Sequence, residues 1–85
     1  MKEILAKNIN RYRKEKGLTQ EGLAQQLGIT YQAVSKWENA QTMPDLALLP
    51  ELSKRLEVSV DKLLGYVSYD KQVTIYEREY EIQIW

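Results

Sequence analysis

The sequence contains no cysteine and no histidine. Composition therefore excludes disulfide staples, thiolate nucleophiles, imidazole bases and the usual cysteine and histidine zinc sets. It also lacks any apolar run near the roughly 18 residues that suggest a membrane-spanning helix, and its start, MKEILAKNIN, has no long apolar core of the signal-peptide kind. These absences lead us to expect a soluble, cytoplasmic protein with neither metal nor other cofactor. A length of 85 residues suffices for one small domain with an appendage, and leaves little room for a deep active site and its scaffold. No nucleophile with a paired base and no phosphate-cradling loop is visible, so the chain is not read as an enzyme.

Net charge is also lacking, because 12 basic and 12 acidic residues cancel. Neutrality argues against nucleic acid, whose phosphates call for lysine and arginine, until the distribution is considered. Residues 1–36 hold seven basic side chains against three acidic ones, net +4. Residues 37–65 hold three against five and residues 66–85 two against four, so each of these segments is net −2. A polarised molecule can bind an anion on one face while staying near neutral overall.

What is present reads mostly as short helices. Leu5, Ile9 and Tyr12 recur at steps of four and three, and Arg13 extends that face, which predicts a helix from Lys2 to Lys16 ending at Gly17. Thr19 is a good N-cap for a second helix, with Leu23, Ala24 and Leu27 inward. Gly22 weakens that helix: it stands where a capping box needs Glu or Gln, and it costs about 1 kcal/mol relative to alanine. Gly28 ends the helix, Ile29 plugs the core, and Thr30 caps a third helix whose Val34 and Trp37 point inward. Tyr31, Gln32, Ser35 and Lys36 face outward at its start. NAQTMPD, residues 39–45, is a loop. A fourth helix is expected from about Ala47 to Leu56, with Leu49, Leu52 and Leu56 inward and Pro50 in its first turn. Ser59 caps a fifth, in which Leu63 and Leu64 pack before Gly65.

After Gly65 the period changes. Tyr76, Tyr80, Ile82 and Ile84 fall on one side of an alternation and Glu77, Glu79, Glu81 and Gln83 on the other, which predicts a strand. One strand cannot satisfy its own backbone, so it needs a second copy of the chain or a further domain. The acidic row is read as a solvated edge that discourages aggregation, not as catalytic or metal-binding carboxylates.

The run GLTQEGLAQQLGITYQAVSKWENAQTMPDLALLPELSKRLEVSVDKLLG resembles the lambda-repressor and Cro-like helix-turn-helix family of bacterial and phage regulators. The likeness covers residues 1 to about 65. It rests on LTQ opening the second helix, LA followed by LG, VSKWE closing the third, and VSVDKLL near the end. The resemblance implies a mainly α, five-helix domain over residues 1–65, here followed by a strand or hairpin tail over 66–85. It implies that the third helix reads DNA in the major groove through Tyr31, Gln32 and Lys36, with Ser35 as a lesser candidate. Gln20 matches a phosphate contact, as do Asn39, Gln41 and Thr42 in the loop, and the cap Thr30 is placed in the same group. Arg13 and Glu38 match an internal ion pair. Two residues depart from the family pattern: Gly22 replaces a glutamate and Ala40 stands where glycine is common.

The expected function is a sequence-specific transcriptional regulator of double-stranded DNA, a repressor working as a homodimer on a palindromic operator. Tyr76, Tyr80, Ile82 and Ile84 are the candidate dimerisation residues. The alternative is an antitoxin or anti-repressor, a module on the same scaffold that binds a protein partner through its tail.

Overall fold

The computed structural model describes residues 1–66. The helices are α1 (Lys2–Glu15), α2 (Gln20–Leu27), α3 (Tyr31–Glu38), α4 (Leu49–Leu56) and α5 (Val60–Leu63), with a 3-10 turn at Leu46–Leu48 before α4. The strand expected around Tyr76, Tyr80, Ile82 and Ile84 lies outside the described residues.

Three helices start on a side-chain cap. Thr19 accepts from the Gly22 amide at 2.9 Å, Thr30 from Ala33 at 3.3 Å and Ser59 from Lys62 at 3.1 Å. Each hydroxyl satisfies one of the amides that a helix start leaves without an internal partner. All five α-helices stop in the same way. A residue with positive φ follows the helix, and the amide after it bonds back to a carbonyl five residues earlier. The pairs are Leu18 to Arg13, Ile29 to Ala24, Gln41 to Lys36, Val58 to Ser53 and Tyr66 to Asp61. Glycine supplies the positive φ at three ends, but Ala40 and Glu57, both at φ 59°, supply it at the other two.

Helix four differs from the sequence expectation. Regular α-helix begins at Leu49, not near Ala47, because Pro50 has no amide with which to bond the carbonyl of Leu46. The preceding turn tightens instead, Leu48 donating to Asp45 at 2.8 Å.

The apolar stripes meet in one core. Leu5, Ile9 and Tyr12 of α1, Leu23 and Ala24 of α2, Val34 and Trp37 of α3, Leu49, Leu52 and Leu56 of α4 and Leu63 of α5 are buried together. Leu18, Ile29 and Val58, which follow helix ends, pack against its edge. Each fully buried leucine contributes roughly 1.5–3 kcal/mol relative to exposure, which gives the short helices a stability they lack alone. Ala24, 2% exposed, is small enough to let another helix approach α2 closely. Among the described residues no helix is long and apolar enough to cross a membrane.

Candidate nucleic-acid interface

The third helix is divided by face. At 3.6 residues per turn, Tyr31, Ser35, Gln32 and Lys36 occupy one arc of about 140°, and Ala33, Trp37 and Val34 another. The structure keeps that division. Val34 and Trp37 are buried and Ala33 packs against the core, so Trp37 offers no stacking platform. Tyr31, Gln32 and Lys36 are exposed, while Ser35 is half-buried. Their side chains make no hydrogen bond to other described residues, which leaves a hydroxyl, an amide and an ammonium facing solvent.

Helix three is held by its last residue. The Glu38 side chain is 4% exposed, and its Oε2 lies 2.6 Å from Arg13 Nε. Its Oε1 accepts from Arg13 Nη2 at 3.0 Å, Asn10 Nδ2 at 2.8 Å and Gln20 Nε2 at 3.1 Å. Arg13 Nη1 also donates to the Leu18 carbonyl at 2.8 Å. One carboxylate thus joins α1, the start of α2 and the end of α3. Burial pushes the Glu38 carboxyl upward, but the bonds from Arg13, Asn10 and Gln20 and the guanidinium charge outweigh it, holding the group below its ordinary value. Sequence reading left out Asn10. The available signal was its position three residues before Arg13, on the same side of α1.

The candidate phosphate contacts are placed unevenly. Gln20 is half-buried, and one N–H of its amide goes to Glu38. Its second N–H has no partner among the described residues. The Thr30 hydroxyl accepts from Ala33, yet still carries a hydrogen to donate. From Asn39 to Thr42 the backbone amides are already used. Asn39 donates to Ser35, Ala40 to Trp37, and Gln41 and Thr42 both to Lys36. Over those four residues only the exposed side chains of Asn39, Gln41 and Thr42 remain as donors. A shallow groove lined by Arg13, Thr19, Gln20, Glu21 and Tyr31 sets the α2 start beside the α3 start.

Charge is more dispersed than the segment totals imply. Of the seven basic residues before position 37, Arg11, Arg13 and Lys16 are paired with Glu15, Glu38 and Glu57. Lys2, Lys7, Lys14 and Lys36 have no acidic partner among the described residues, and of these Lys36 alone lies on the exposed face of α3. Among the described residues there is also no cluster of acidic or other side chains suited to a metal ion.

Comparison with known proteins gives a consistent picture. A family model described as helix-turn-helix matches residues 9–63. The HTH-type transcriptional activator BcrR of Enterococcus faecalis is 38% identical over 71 residues, covering 84% of this chain and 33% of that protein. The uncharacterized HTH-type transcriptional regulator YqaE of Bacillus subtilis is 38% identical over 68 residues, covering 80% of this chain and 59% of the relative. The chain therefore spans less than two thirds of either. Among solved structures, the P22 c2 repressor protein in complex with synthetic operator 9T superposes with a TM-score of 0.70 at 33% identity, over 74% of this chain and 96% of that one.

Proposed function

Because the chain belongs to the helix-turn-helix family, we propose that it is a sequence-specific DNA-binding transcriptional regulator, a repressor that acts as a homodimer on a two-fold operator. The observation that carries this reading is the exposure of Tyr31, Gln32 and Lys36 on the one face of α3 that the core does not use. Such a helix presents its first turns to base edges in the major groove. The repressor role is inferred from the likeness to a repressor bound to its operator.

In this reading Gln32 reads adenine by bonding N6 and N7 together, worth roughly 1–3 kcal/mol of discrimination. Lys36 meets guanine or a phosphate, Tyr31 flanks them, and Ser35, half-buried, contributes least. Gln20 and Thr30 fix the duplex at the helix starts, and Asn39, Gln41 and Thr42 grip the second strand; such contacts position the protein without reading sequence. Residues 1–65 form the DNA-binding unit. Residues 66–85 supply dimerisation through Tyr76, Tyr80, Ile82 and Ile84, because one recognition helix makes few contacts and two copies about one DNA turn apart make twice as many.

Selection of bound sites from a random duplex pool tests this. A symmetric motif is the expected outcome, and Gln32→Ala should relax particular positions in each half-site by about five- to 150-fold. Recovery of unrelated sequences would reject operator recognition. A motif unchanged in Gln32→Ala would reject Gln32 as the reader.

A further inference from the structure

A second groove runs between α1 and the end of the recognition helix. Glu3, Lys7 and Asn10 of α1 form one wall, and Glu38 and Asn39, where α3 passes into the loop, form the other. Asn10 ties the walls together by donating to Glu38 Oε1 at 2.8 Å. The same oxygen accepts from Gln20 at 3.1 Å, so the Asn10 and Gln20 amide nitrogens lie within about 6 Å of each other. The groove thus adjoins two residues proposed above as phosphate contacts, Gln20 and Asn39, yet it brings to them a helix to which no DNA contact has been assigned.

Its charges are not balanced. Arg13 answers Glu38 at 2.6 Å, and the Glu3 carboxylate lies 4.0 Å from the Met1 ammonium. Lys7 is exposed and pairs with no acid among the described residues, although Glu3 stands four residues before it, a spacing at which such pairs form on a helix. Asn10 gives one amide hydrogen to Glu38 and keeps the other without a partner among the described residues. The exposed Asn39 side chain likewise makes no hydrogen bond to a described residue. An ammonium and two amide donors therefore border a space whose buried carboxylate is already neutralised. Such a set suits an oxyanion, since a charged donor strengthens each bond to it. We propose that Lys7 holds a phosphate of the duplex backbone, with Asn10 and Asn39 beside it. This rests on the DNA-binding reading above and adds α1 to it. The contact positions the protein and reads no base. It gives a second cation to an interface in which Lys36 is otherwise alone.

Salt titration of Lys7→Gln, shown to be folded by circular dichroism, tests the contact. Two duplexes serve as probes, the motif that the wild-type chain selects and a scrambled duplex of the same composition. Affinity should drop several-fold for both, the selected motif should stay the same, and the log–log salt slope should become less negative by about 0.9 for each bound copy. Glu3→Gln should act with the opposite sign, raising affinity for both duplexes, because an acid leaves the rim of the groove. Lys54 on α4, beside Lys16 and Gln26, also pairs with no acid among the described residues. Lys54→Gln removes the same charge and should leave the slope as it is. An unchanged slope in Lys7→Gln, the result if the groove takes an acidic segment of a partner protein instead, overturns the contact and leaves the DNA-binding reading intact. So does an equal change in Lys54→Gln, which makes the effect one of net charge. A neutral methylphosphonate moved along the backbone gives a direct check. At one position in each half-site it should weaken binding of the wild type and not of Lys7→Gln, and the lack of any such position overturns the contact. A wild-type chain without sequence preference rejects operator recognition while the slope still decides the contact, and one that binds neither duplex rejects both.

Discussion

Glu38 and Arg13 show how much rests on single residues. Removing one partner of a buried pair leaves the other charged and unmatched, which typically costs about 3–5 kcal/mol, whereas replacing both with apolar groups costs far less. Arg13→Leu should therefore lower stability in urea denaturation more than the double change Arg13→Leu, Glu38→Leu. A single mutant as stable as the double would disprove the coupling. The depressed Glu38 carboxyl also fixes a pH dependence. A group whose folded value lies below its unfolded value stabilises the fold above the unfolded value, and that contribution is lost as pH falls through the folded one. Wild-type stability should thus fall below about pH 4.5 more steeply than that of the double variant, in which this carboxylate is gone. At Ala40 the effect has the opposite sign. Its φ of 59° disfavours any residue with a Cβ, so Ala40→Gly should raise stability by about 0.5–1 kcal/mol, read as a higher urea midpoint at unchanged slope.

At the scale of elements, α2 is the weak member. It has eight residues, contains Gly22, and starts on one hydroxyl bond, so its integrity depends on the cap and on its contacts with α3. Thr19→Ala should cost about 1 kcal/mol, and amide exchange should quicken in α2 before it does in α1. Uniform acceleration across all helices would instead show that α2 does not open by itself. The existence of the helices was legible in the sequence, because stripes such as Leu5, Ile9 and Tyr12 or Val34 and Trp37 carry helical period and Thr19, Thr30 and Ser59 announce starts. What was not legible depended on three dimensions. The 3-10 turn before α4 follows from one missing amide meeting one particular carbonyl. The partners Asn10 and Gln20 of Glu38 lie 28 and 18 residues away in sequence, a distance that periodicity does not bridge. Of the candidate interface, the exposed arc of α3 could be read by spacing. The consumption of every loop amide from Asn39 to Thr42 could not.

For the whole molecule, charge sets the expectation for binding. The proposed phosphate contacts Gln20, Thr30, Asn39, Gln41 and Thr42 are neutral, and only cations release condensed counterions on binding. With Lys36 and about one further lysine acting in each copy, a dimer should show a log–log salt slope of roughly −2 to −4. Duplex affinity would then fall about ten- to a few hundred-fold between roughly 50 and 200 mM salt, measured by fluorescence anisotropy. A slope near −10 would mean that cations away from α3 carry the contact.

The two-sidedness of α3 has a consequence for how such proteins diversify. Tyr31, Gln32 and Lys36 lie outside the buried core, while Val34, Trp37 and Glu38 hold the helix in place from its other sides. Under the proposed function, mutations can therefore rewrite the address that the helix reads while the buried core stays as it is. A duplicated copy can drift toward a new target one surface residue at a time, folding at every step.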